Sequence, residues 1–109
     1  MAVSPPQGTK DLLDRQLSIH ARDRWPQLSQ LRIRYRGAFA YVDGVLPGDD
    51  VQPLMRLRYF GTPLAWGFAL HLASTGKYED SILPTGSFTG TAEETLDCAC
   101  ELYLMAPDF

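Results

Sequence analysis

The sequence predicts an α+β domain in which an N-terminal and a C-terminal helix pack on one face of a mostly antiparallel sheet of four to five strands, in the order α-β-β-β-β-(β)-α. Three observations carry this. The stretches Leu31-Arg32-Ile33-Arg34-Tyr35-Arg36 and Met55-Arg56-Leu57-Arg58-Tyr59-Phe60 alternate between apolar and cationic residues, broken only at Phe60. That is the period of a strand with one dry and one wet face. Residues 10–28 and 91–104 instead space their apolar side chains for helices, and Gly, Pro, Asp and Ser clusters punctuate the chain between these segments.

Composition sets the limits. The chain has 109 residues, 45% hydrophobic and 21% charged, enough for one modest core and ordinary for a globular domain. It has no uninterrupted apolar run of the roughly 18 residues a membrane-spanning helix needs. Met-Ala-Val-Ser-Pro-Pro-Gln-Gly lacks the basic and apolar regions of a signal peptide, so a cytoplasmic protein is expected. A net charge of −3 argues against a generic nucleic-acid coat. The charge is uneven, however: residues 31–60 hold five arginines, whereas residues 79–101 hold six carboxylates and no Lys or Arg.

In chain order, residues 1–8 form a Pro/Gly-rich arm and residues 9–109 a single domain. The first helix runs from Lys10 to about Trp25, capped by Thr9 with Asp11 in the first turn, and Pro26 ends it. Its apolar stripe is Leu13, Leu17, Ala21, Trp25 and Leu28. Strand one, Leu31–Arg36, turns at Gly37 into strand two, Ala38–Val42. Asp43-Gly44 and Pro47-Gly48-Asp49-Asp50 then read as turns, with Val45-Leu46 either strand or loop. Strand three spans Leu54–Phe60, strand four Ala65–Ala73, and a possible fifth Tyr78–Leu83, followed by a flexible loop through Gly90. Thr91 and Glu94 make a capping box for a helix to about Leu104, closed off by Pro107. Leu96, Ala99, Cys100 and Tyr103 form its buried stripe, widened by Thr95, Cys98 and Leu102, and Glu93, Asp97 and Glu101 an acidic exposed ridge.

If the alternating strands share a sheet, Leu31, Ile33, Tyr35, Met55, Leu57 and Tyr59 face the core. Arg32, Arg34, Arg36, Arg56 and Arg58, five of eight arginines, stand on the other face with Phe60. The small residues Ala65, Gly67, Ala69 and His71 of strand four are expected on that face, together with Ala38, Ala40 and Val42. Guanidinium groups about 7 Å apart along a strand can hold phosphates or carboxylates bidentately. Used otherwise, they are solvated residues paired with Asp or Glu across strands, which also discourages edge aggregation.

Among the aromatics, Tyr59 and Trp66 belong to the core, while Phe60, Phe88 and Phe109 are open to stacking. His71, with Ser74 and Glu79 near it in sequence, is the one residue on which acid–base chemistry could centre; otherwise it is a structural histidine. No nucleophile elbow or phosphate loop is present. Cys98 and Cys100 diverge by about 200° on a helix, which excludes a disulfide between them, and no metal or cofactor is expected.

Leu83-Pro84-Thr85-Gly86, Gly90-Thr91-Ala92-Glu93-Glu94 and Glu101-Leu102-Tyr103-Leu104, within residues 66–104, resemble the distal half of HicB-type antitoxins. That resemblance implies a half-RNase-H-like module that binds and silences a small ribonuclease toxin. The chain as a whole has the look of short bacterial proteins.

The expected function is that of a small non-catalytic binding protein whose arginine face engages an anionic partner, nucleic acid or an acidic protein surface. The alternative is a regulatory, antitoxin-like module for a protein partner; the third is a small enzyme centred on His71. Oligomeric state is not encoded legibly.

Overall fold

The structure, a computed structural model, describes residues 3–104. It is α+β: α1 (Gln7–Arg24), β1 (Gln30–Arg36), β2 (Phe39–Val45), β3 (Val51–Tyr59), β4 (Trp66–Leu72), β5 (Lys77–Asp80), β6 (Thr89–Gly90) and α2 (Ala92–Tyr103). Strands β1 to β5 form an antiparallel meander in chain order, and β6 pairs with β4 beside β5. Both helices pack on one face. No described helix is long and apolar enough to cross a membrane.

Helix α1 starts earlier than expected. Pro6 is its N-cap, so Gln7 and Gly8, assigned above to the arm, form its first turn; Thr9 lies inside the helix and caps nothing. The Lys10 N–H donates to the Pro6 carbonyl as the first helical bond, no side chain caps the helix start, and the Gln7 side-chain amide donates to Asp11 along the first turn. Its stripe of Leu13, Leu17, Ala21, Trp25 and Leu28 is buried as the spacing requires. The Thr91–Glu94 capping box is present at α2 and partners the Thr91 and Glu94 amides of that helix start. Pro107 and Phe109 lie outside the described residues.

The β1–β2 hairpin corrects one expectation. Gly37 takes φ 58 in a two-residue loop with Ala38, and Arg36 pairs with Phe39. A two-residue loop sets even-numbered β1 positions opposite odd-numbered β2 positions. Ala38, Ala40 and Val42 therefore face the helices, fully buried, and Phe39, Tyr41 and Asp43 join the arginines. Asp43-Gly44 is not a turn but strand interior. Gly44 packs tightly there: a Cβ would stand 2.7 Å from Leu28 Cδ2, so any side chain at 44 displaces the end of Leu28. The turn is Pro47–Asp50, where Gly48 and Asp49 both have positive φ.

A bulge at Leu54 shifts the β2–β3 register between Val42 and Asp43, so that Leu54 and Met55, adjacent in sequence, are both fully buried. Pro53 sits beside it, at a place where a missing N–H is tolerated. β5 ends at Asp80 instead of Leu83, because the chain leaves the sheet there and Leu83 turns into the core. The stretch expected as a loop up to Gly90 returns as β6, and the Phe68 N–H donates to the Phe88 carbonyl.

The acidic ridge on α2 is also corrected. Asp97 Oδ1 accepts the Trp25 indole N–H at 2.9 Å and lies 2.7 Å from His20 Nε2, tying α2 to α1. Glu101 is exposed, and so is Leu102, which contributes nothing to the buried stripe.

Candidate functional site

Register places all five arginines on one face. Arg34 is opposite Tyr41 and Tyr41 opposite Arg56; Arg36 is opposite Phe39 and Phe39 opposite Arg58; Arg32 is opposite Asp43. Gly67, Ala69 and His71 of β4 lie on the same face, as the alternation of strand four implies. Phe60 joins them, 56% exposed, its ring packed on the β4 backbone: a Cβ on Gly67 would stand 2.7 Å from Phe60 Cε2. Glycine at 67 permits that close approach, and a side chain there would push the Phe60 ring aside.

The face is not the open field of arginines over small residues that strand periodicity suggests. It is a lattice of guanidinium groups over rings. Arg56 lies 4.6 Å from the Phe39 centroid and 5.9 Å from Tyr78, Arg34 lies 5.5 Å from Tyr41, and Arg58 sits 5.8 Å from Phe39 and 5.2 Å from Phe60. Tyr41, Tyr78 and His71 continue the lattice edge-on. Each such contact is worth about 0.5–1 kcal/mol at an exposed site, and an arginine held against a ring loses less side-chain freedom when it takes a ligand.

Two arginines have carboxylate neighbours. Arg34 Nη2 is 3.6 Å from Asp43 Oδ2, and Arg56 Nη2 is 3.6 Å from Asp80 Oδ1. Asp43 is only 7% exposed, and its Oδ1 has no partner among the described residues. Burial raises the Tyr78 hydroxyl above its ordinary pKa, Asp43 adds to that, and Arg34 and Arg56 oppose it. Arg32, Arg36 and Arg58 have no carboxylate within salt-bridge distance among the described residues.

A groove of about 340 Å³ opens at the β6 end of this face, walled by Phe39, Phe60 and Phe88, floored by Gly67 and Ala69, and rimmed by Arg56, Arg58, Asp80 and Thr89. Phe88 is 54% exposed. Tyr59 and Trp66 are buried in the core, as expected.

His71 stays on the face but does not gain the neighbours its sequence position suggests. Glu79 pairs with Leu70 and so points to the other side of the sheet, while Ser74 lies in the turn. The ring packs edge-on to Tyr78 at 5.1 Å with Nδ1 unpartnered among the described residues, and the His71 carbonyl accepts the Tyr103 hydroxyl. Among the described residues no group of three or more His, Cys, Asp or Glu side chains is placed to hold a metal ion.

Sequence reasoning missed Phe39, Tyr41, Tyr78 and Asp80. The two-residue loop at Gly37-Ala38 is the signal that would have put Phe39 and Tyr41 on this face.

No family model matches this chain, and neither a curated protein nor a solved structure matches it. The functional reading therefore rests on the residues themselves.

Proposed function

We propose that the protein binds single-stranded nucleic acid on the arginine face and catalyses no reaction there. The observation that carries the reading is the pairing of arginines with rings: Arg58 between the half-buried Phe39 and the exposed Phe60, free of any carboxylate among the described residues, beside a groove that the exposed Phe88 lines. Single-strand binders combine a cationic track for phosphates with aromatic rings on which unpaired bases stack. A duplex turns its bases inward and leaves such rings unused. An acidic protein surface would engage the arginines but gives Phe60 and Phe88 no task. A cytoplasmic location goes with this reading.

The magnitude follows from the charges. Five arginines offset by Asp43 and Asp80 leave about three free positive charges on the face. For single strands that corresponds to a slope of log K against log salt of about −2. The test is anisotropy of labelled DNA and RNA decamers at low and rising salt, with an Arg36→Ala/Arg58→Ala variant beside the parent. These two arginines are chosen because removing them orphans no carboxylate, whereas Arg34→Ala would strand the buried Asp43. The expected result is a folded variant that melts a few degrees lower, because the Arg58 contacts with Phe39 and Phe60 are lost, with at least tenfold weaker binding and a shallower salt slope. Absence of binding by the parent at low salt rejects the proposal.

A second reading, a regulatory module for a protein partner as in antitoxins, draws on the exposed apolar side chains of Leu64, Ile82 and Phe88. It predicts co-purification of one specific basic protein, retained when Arg36 and Arg58 are removed.

A further inference from the structure

Within the proposed single-strand reading, on which this inference rests, the geometry points to the groove at Phe60 and Phe88 as a subsite for one unstacked guanine. Its volume of about 340 Å³ lies at the small end of ligand sites and suits a single nucleotide unit instead of a run of bases. Its walls are aromatic, with the Phe60 ring laid over Gly67, and its floor at Ala69 carries no long side chain, so a planar base can lie against the rings.

The polar groups at the rim select the base. Arg58, unpaired among the described residues, stands where a phosphate or sugar oxygen would follow the base. Among the described residues Asp80 is the one carboxylate on the groove, 79% exposed and 3.6 Å from Arg56 Nη2. An ionised carboxylate offers acceptors only. Guanine alone among the four bases presents two adjacent donors, N1–H and the N2 amino group, on its pairing edge, a match for the two oxygens of one carboxylate. Cytosine and adenine set a ring-nitrogen acceptor beside their amino group. Thymine and uracil flank their one N–H with two carbonyls. Each of these brings a lone pair against the carboxylate. Specific bidentate contacts of this kind discriminate bases by about tenfold or more.

Asp80 also gives the inference a distinctive sign. Removing it frees Arg56 and makes the face more cationic, so a purely electrostatic surface would bind every strand more tightly. A guanine subsite would instead gain for the other bases and lose for guanine.

The experiment measures anisotropy of labelled thymidine decamers carrying guanine, adenine, cytosine or thymine at one central position, with the parent protein and Asp80→Asn. The parent is expected to bind the guanine decamer about tenfold more tightly than the other three. Asp80→Asn is expected to erase the guanine preference and to tighten the other three about twofold or more, adenine and cytosine most, because the Asn amide offers their edges one donor and one acceptor. Equal affinity of the parent for all four, or a guanine preference that survives Asp80→Asn, overturns the subsite and leaves the sheet-face reading standing. No binding of any decamer at low salt overturns both. Because Asp80 is exposed at the end of the short strand β5, the variant folds as the parent does, which matched circular dichroism and melting curves check.

Discussion

Asp97→Ala is expected to destabilise the domain far more than an ordinary surface substitution on α2. One oxygen of Asp97 takes the Trp25 indole N–H at 2.9 Å and contacts His20 Nε2 at 2.7 Å, across 72 and 77 residues of chain. Trp25 is almost fully buried, so its N–H has no ready access to water once the carboxylate is gone. A hydrogen bond to a charged group is worth about 1.5–3 kcal/mol, and an orphaned buried donor costs about 1–3 kcal/mol. The Asp97 side chain is 30% exposed, which places the loss toward the lower part of that range, about 2 kcal/mol. At roughly 2.1 cal/mol/K of unfolding entropy per residue, a chain of 109 residues then melts about 9 °C lower.

Urea unfolding followed by tryptophan fluorescence, with thermal circular dichroism beside it, gives both quantities. Asp97→Asn keeps an acceptor for the indole and should lose about half as much. In a Trp25→Phe background, where no indole donor remains, Asp97→Ala should cost about 1 kcal/mol less than in the parent. A loss under 0.5 kcal/mol for Asp97→Ala, or an unchanged penalty in the Trp25→Phe background, would refute the interhelical bond as the cause.

Two further outcomes follow from packing and burial. Gly44→Ala puts a methyl 2.7 Å from Leu28 Cδ2 and 3.2 Å from Cδ1 of the fully buried Leu54, and should lose about 1–3 kcal/mol in urea unfolding. Adding Leu28→Ala should recover part of that loss; strict additivity of the two would show the clash to be irrelevant. Burial first, and Asp97 second, push the Cys100 thiol from its ordinary 9.0 up to about 12. A pKa raised in the folded state gives stability that is fully present below pH 9 and is lost as pH rises toward 12. Cys100→Ala should flatten part of the alkaline loss over that window, the raised Tyr35, Tyr78 and Cys98 groups supplying loss in the same direction. Native Cys100 should also resist thiol-exchange reagents at pH 8, and rapid labelling would contradict its burial.

What could be read from the sequence alone is what one element decides within itself. The stripe from Leu13 to Leu28, the arginine parity of Arg32 to Arg36 and of Arg56 to Arg58, Phe60 beside them, and the Thr91–Glu94 box all rest on helix or strand periods, which the backbone imposes over a few residues. The relation between elements lies outside that range. Whether Phe39 or Ala38 joins the arginines depends on how many residues the Gly37 loop contains. The burial of both Leu54 and Met55 depends on a bulge that strict alternation would forbid. Asp97 looks like one step of an exposed acidic ridge until α1 brings Trp25 to it. The groove exists only because Gly67, Arg58, Phe60 and Phe88 come together from strands and loops up to about thirty residues apart. Local periodicity is a property of the chain's own geometry. Which faces meet is decided by loop closure and core packing, whose lowest-energy solution depends on residues distant in sequence.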